Sequence, residues 1–150
     1  MNRDTWAAIS ATIAVVVVII LGFRVLGGPG RQRLVQSDHR TLRALAELGQ
    51  QIKQSWDSSA PNNKNDKKVL PATLDKFPAS AKQDPLTHKS FTYRPKSNGE
   101  YELCATFALD SREAQDPNPD EHWAHPKGDY CFPLDATKPV PQAPYYYQSY

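Results

Sequence analysis

Two cysteines, Cys104 and Cys131, and two histidines three residues apart, His122 and His125, are the side chains here best suited to metal or covalent chemistry. The stretch that contains the histidines, DPNPDEHWAHPKGD, adds Asp116 and Asp120 as oxygen donors. A His-x-x-His pair near two cysteines could make tetrahedral zinc, yet the Cys–Cys and Cys–His separations follow neither finger nor ribbon spacing. Asp116, Asp120 and Glu121 could instead offer oxygen to calcium, without the regular spacing of a known calcium loop. The plainer expectation is two surface histidines flanking a core Trp123. Cys104 could be core filler, a metal ligand or half of a disulfide. The sequence contains no Gly-x-Ser-x-Gly, phosphate loop, dinucleotide fingerprint or Cys-x-x-Cys-His haem site. Nothing arranges two carboxylates for acid–base work, so the reading is of a protein without catalytic residues or cofactor.

The elements that must position these groups are short. In SDHRTLRALAELGQQIKQSW, Leu42, Leu45, Leu48, Ile52 and Trp56 recur at spacings of three and four, which predicts an amphipathic helix with Ser37 or Asp38 as its cap. DSSAPNNKNDKK, residues 57–68, has no apolar periodicity and reads as a solvent loop. LPATLDKFP is too short and Pro-bounded for more than one helical turn, and Asp84-Pro85 begins a turn. SFTYR and YELCATFAL then read as strands joined by Asn98-Gly99. In the second, Tyr101, Leu103, Ala105, Phe107 and Leu109 alternate with Glu102, Cys104, Thr106 and Ala108, so one face is apolar and Cys104 lies on the other. DYCFPL is a last short strand.

The N-terminus is of a different kind. Residues 6–23, WAAISATIAVVVVIILGF, carry no charge, and Val25-Leu26 extend the run past Arg24. At ~1.5 Å per residue such a helix approaches the ~30 Å hydrocarbon thickness, with Trp6 at one interface and Arg24 snorkelling at the other. The run is longer than a usual signal-peptide core and no Ala-x-Ala site closes it, so residues 6–26 read as a retained membrane helix after a short cytoplasmic segment 1–5. No cysteine follows it closely enough for lipid attachment. Residues 27–36, with Gly27-Gly28-Pro29-Gly30, read as a linker and residues 37–135 as the folded domain. Arg24, Arg31 and Arg33 after the span outnumber Arg3 before it, so charge bias alone would place that domain in the cytoplasm. The two cysteines and the brevity of the N-terminus point the other way. A net charge of +2 with mixed signs gives no nucleic-acid-binding surface.

Residues 136–150 read as an extended tail. Pro139, Pro141 and Pro144 favour polyproline geometry, and Tyr145, Tyr146, Tyr147 and Tyr150 offer amphipathic contact area. Trp6, Arg24, Pro141, Pro144 and these tyrosines are therefore the expected contacts with lipid and with other subunits.

The helix, then LPATLDKFP, DPLTHKSFTYR, the Asn-Gly turn, YELCATF and DYCF together resemble type IV pilins and type II secretion pseudopilins over roughly residues 40–133. The resemblance implies an α+β fold in which an N-terminal helix packs on a small antiparallel sheet in a periplasmic domain. It includes no catalytic motif. The Gly-Phe-Thr-Leu-x-Glu type of processing signal is missing, because Gly22-Phe23 lies at the far end of the apolar run. A domain exported as the resemblance implies would have Cys104 and Cys131 as its only intramolecular pair, a disulfide staple. The expected function is that of a single-span accessory subunit in a bacterial inner-membrane complex, contacting lipid and other integral and periplasmic subunits. Small single-span subunits of respiratory and photosynthetic reaction-centre or antenna assemblies are the analogy. A minor pseudopilin of a secretion or pilus system is the alternative.

Overall fold

The computed structural model describes residues 3–26, 29–59, 68–112 and 121–144. The chain divides into two units, Met1–Leu34 and Val35–Tyr150. The first contains helix α1, Arg3–Leu26, which has 24 residues and a length of ~36 Å. Every side chain from Ala11 to Leu21 is exposed, so apolar groups stand on all faces of the helix. The apolar surface is thus not confined to one stripe. The described side chains of α1 are those of Trp6, Ile9 and residues 11–22. Among the described residues no helix is long and apolar enough to cross a membrane.

Helix α2 runs from Pro29 to Ser58. It therefore begins eight residues before Ser37, and the expected linker is partly helical. Pro29 suits this role, since the first turn has no use for its missing N–H and its fixed φ is already helical. Ser37 and Asp38 consequently lie inside the helix rather than at its cap. Leu42, Leu45, Leu48, Ile52 and Trp56 form the buried stripe that their spacing predicts, three of them with no exposed surface.

The second unit is α+β. Strands β1 (Thr92–Pro95), β2 (Glu100–Phe107) and β3 (Gly128–Asp135) form an antiparallel sheet in the order β1-β2-β3. Asn98 and Gly99 have φ of 61° and 89°, and the Glu100 amide donates to the Ser97 carbonyl at 3.2 Å. That is a type I′ turn, whose twist matches the flanking strands. Tyr101, Leu103 and Phe107 face the α2 stripe, together with Phe132, Leu134, Leu70, Leu74 and Trp123. At Gly49 the helix is bare, and a Cβ there would lie 3.2 Å from Val140 and 3.6 Å from Leu134.

That gap explains a difference from the sequence reading at residues 136–144. Ala136 is fully buried, Val140 is buried over Gly49, and the Lys53 ammonium donates to the Ala136 carbonyl at 3.0 Å. The segment opens with a turn, in which the Lys138 amide donates to the Asp135 carbonyl at 3.1 Å, and Ala136 and Val140 have their place in the domain's own core.

The ladder's phase can be read from its ends. Lys96 N donates to Glu100 O, and Ala136 N donates to Gly99 O. Stepping by two residues, Arg94 and Thr92 turn their backbone groups to β2, as do Leu134, Phe132 and Tyr130 from the other side. Tyr93 and Pro95 on β1, and Asp129, Cys131 and Pro133 on β3, face outward. Each edge strand thus carries a proline at a position whose nitrogen points away from the sheet, where no donor is lost from the ladder.

Candidate functional site

Cys104 and Cys131 stand directly opposite on β2 and β3 and form a disulfide, with Cα atoms 3.9 Å apart. Cys104 is on the face of β2 opposite the core, as the alternation predicts, and no described cysteine is free. The bond therefore lies on the face of the sheet opposite the α2 stripe. A groove of about 370 Å³ borders it. Its walls come from Ser37, Asp38 and Thr41 of α2, the segment Asp84–Phe91, and the outer-face side chains Thr92, Arg94, Thr106 and Asp129.

The carboxylates of this groove are engaged in holding the fold. Asp38 is buried within α2 and accepts the Ala108 amide at 2.9 and 3.1 Å and the Leu109 amide at 2.9 Å. It satisfies two backbone donors just where the chain leaves β2, tying that exit to the helix. Asp84 accepts the Leu86 amide at 2.9 Å, the Thr87 amide at 2.6 Å and the Thr41 hydroxyl. Burial works to raise the Asp84 carboxyl, but the Thr41 hydroxyl and the Thr87 and Leu86 amides outweigh it and hold the group below its ordinary 3.8. The Asp84-Pro85 turn is thereby closed and docked on α2. Asp129 is taken by the Thr106 hydroxyl at 2.5 Å. The Lys89 and Arg94 cations remain at the rim, Arg94 with only a 3.9 Å contact to Glu102.

The histidines differ from the expected surface pair. His125 is 6% exposed and stacks on Phe107, with ring centroids 3.8 Å apart, while Trp123 between the two histidines is a core residue as expected. Nδ1 of His125 lies 3.2 Å from the Pro126 carbonyl, which can only accept, so Nδ1 carries the proton in the neutral ring. Burial pushes the imidazole below its ordinary 6.5, against the opposing pull of the Pro126 carbonyl, Asp38 and Asp110; His39 adds to the lowering. His122 packs edge-on against Trp123. Among the described residues no group of three His, Cys, Asp or Glu is placed to hold a metal ion. Asp116 and Asp120 lie outside the described residues.

Of the expected contact residues, Trp6 is 60% exposed on α1, and the side chain of Arg24 lies outside the described residues. Pro141 is half-buried and lines a second groove of about 390 Å³ with Tyr101, Leu134 and Pro139. Pro144, also half-buried, is the last residue described. Tyr145, Tyr146, Tyr147 and Tyr150 lie beyond it, outside the described residues. The sequence reading missed Asp38, Thr41 and Asp84 as organisers of the groove. The one available signal was Asp84-Pro85 as a turn start; a polar Asp38 on a helix carries no comparable mark. Comparison with protein-family models, with curated proteins and with solved structures finds no match to this chain.

Proposed function

We propose that this chain is a non-enzymatic, single-span accessory subunit of a bacterial inner-membrane complex. Its span would be residues 6–26, its N-terminus cytoplasmic and its second unit periplasmic, with a pilin-like domain that contacts neighbouring integral and periplasmic subunits. The observation that carries the reading is the cross-strand disulfide, in a chain whose other end is an apolar helix exposed on all faces. Disulfides persist in oxidising compartments, and an uncharged run of this length is stable where lipid or protein covers it. The tyrosine-rich sequence that follows the half-buried Pro141 and Pro144 supports the same reading, since its side chains offer amphipathic contact area.

The test is extraction of native membranes in mild detergent, size separation and mass spectrometry of the co-migrating chains. A fixed ratio to a large integral complex is the expected result. Migration as an isolated chain, at any detergent strength that keeps other complexes intact, overturns it. A second reading, a minor pseudopilin, is favoured by α2 packing on an antiparallel sheet preceded by the Asp84-Pro85 turn. Co-migration with secretion or pilus proteins, with a processed and methylated first residue, selects that alternative.

A further inference from the structure

The exit of β2 and the approach to β3 are joined by a small reciprocal staple. Ser111 N donates to the His125 carbonyl at 3.0 Å, and His125 N donates to the Ser111 hydroxyl at 3.1 Å. Two residues earlier the chain is held to α2 by the Asp38 carboxylate through Ala108 and Leu109. The His125 ring sits in the middle of this junction, stacked on Phe107 of β2 and edge-on to Phe132 of β3 at 6.4 Å. Nothing proposed above uses this ring, and no reading of the chain as an accessory subunit requires it.

We propose that His125 is a proton-sensitive staple: neutral, it holds the β2 exit to the approach of β3, and taking up a proton it releases that junction while the sheet stays paired. With Nδ1 donating to the Pro126 carbonyl, the incoming proton must go to Nε2. The resulting cation is formed in a site 6% exposed, against the face of Phe107. Placing a charge there costs free energy unless the ring moves to water. The groups that bear on it are Asp38 and His39 from α2 and Asp110 from the turn after β2; the two carboxylates favour the cation and His39 opposes it. Asp38 is already committed to the Ala108 and Leu109 amides, and Asp110 accepts the Arg112 amide at 2.8 Å. Neither carboxylate can turn fully to the ring without giving up a backbone donor. Both bonds of the staple are made by the backbone N–H and carbonyl of residue 125, so outward movement of the ring that displaces this backbone loosens them. The pairing of Glu100–Cys104 with Cys131–Asp135, and the disulfide at its end, use neither Ser111 nor residue 125.

The experiment uses the full chain in mild detergent. Amide hydrogen exchange, corrected for the intrinsic pH dependence, is compared at pH 7.5 and pH 5 for wild type and His125→Phe, which keeps the stacked ring and removes the titration. Expected is a rise of about tenfold in exchange for peptides covering 108–112 and 122–127 in wild type at pH 5, with 100–105 unchanged and no such rise in the variant. Equal rises in both proteins, no rise in wild type, or a rise spread over the whole second unit each overturn the proposal. Since His125→Phe could fail to fold, the wild-type ring is also titrated by NMR. The Ser111 and Leu109 amide shifts must follow its midpoint, and amides that do not follow it refute the staple.

Discussion

Asp38 gives the sharpest test of how the second unit is assembled. Its Oδ2 is shared by Leu109 at 2.9 Å and Ala108 at 3.1 Å, and its Oδ1 takes Ala108 at 2.9 Å. In Asp38→Asn the amide oxygen can occupy the shared position and keep both donors. The NH₂ group then faces the Ala108 N–H across the remaining contact, donor against donor. One charge-assisted bond is lost and a repulsive pair takes its place, a cost of ~2 kcal/mol at a site this buried. Asp38→Ala orphans both amides and costs ~4 kcal/mol. For a unit of roughly 115 residues, 1 kcal/mol moves the midpoint by ~4 °C, so the expected losses are ~8 °C and ~15 °C. Near-UV circular dichroism of the full chain in mild detergent, heated and titrated with urea, measures both variants. Asp75→Asn, exposed and bonded among the described residues to Thr73, serves as the control and should stay within ~0.5 kcal/mol. If Asp38→Asn is as stable as the control, or Asp38→Ala is no worse than Asp38→Asn, the assignment of Asp38 as the bond between α2 and the β2 exit is wrong.

Replacing both cysteines by serine removes a constraint of 27 residues and should cost ~3.5 kcal/mol on the chain-entropy model; unfolding free energies from urea titration of wild type with and without reductant should differ by the same amount. Gly99→Ala must hold a side chain at φ of 89° with its Cβ 3.1 Å from Thr137 and 3.3 Å from Trp56, so a loss of ~2 kcal/mol is expected, whereas Asn98→Gly should lose little, and a reversed order would contradict the type I′ turn. His125, whose folded value lies below the ordinary 6.5, contributes fully above pH 6.5, where it is neutral folded or unfolded, and its contribution is lost as pH falls from 6.5 through the folded value. Asp84, held below 3.8, keeps its contribution above that pH and loses it only in stronger acid. Wild-type stability should therefore fall in two steps, and His125→Phe should lack the upper one.

Local patterns made several of these features legible. The apolar stripe from Leu42 to Trp56, the Asn98-Gly99 turn and the placing of Cys104 opposite the core depend on periodicities of 3.6 and 2, which any sequence displays directly. What stayed hidden depends on long-range contacts. Asp38 looked like a cap because a polar residue before an apolar run is one; its true partners are some 70 residues away. Residues 29–36 read as linker because proline and glycine commonly end helices, whereas a helix's first turn accommodates Pro29 and α2 begins there. His125 looked superficial for want of any sign that Phe107 would lie beneath it. Val140 looked like part of a tail because the vacancy that receives it is an absent side chain, Gly49.

The two outward-facing prolines bear on how copies of this protein can coexist. Tethering in a membrane, as proposed, would confine many identical domains to a thin layer in a common orientation, the arrangement in which open sheet edges zip together into polymers. On β1 the Phe91 amide is already taken by the Lys82 carbonyl, and Pro95 has no N–H to offer. On β3, Pro133 interrupts the outward donors between Cys131 and Asp135. Neither edge presents the unbroken row of donors that an incoming strand of ordinary length requires. Crowding in the plane can therefore raise the frequency with which these sheets meet without giving them a way to merge.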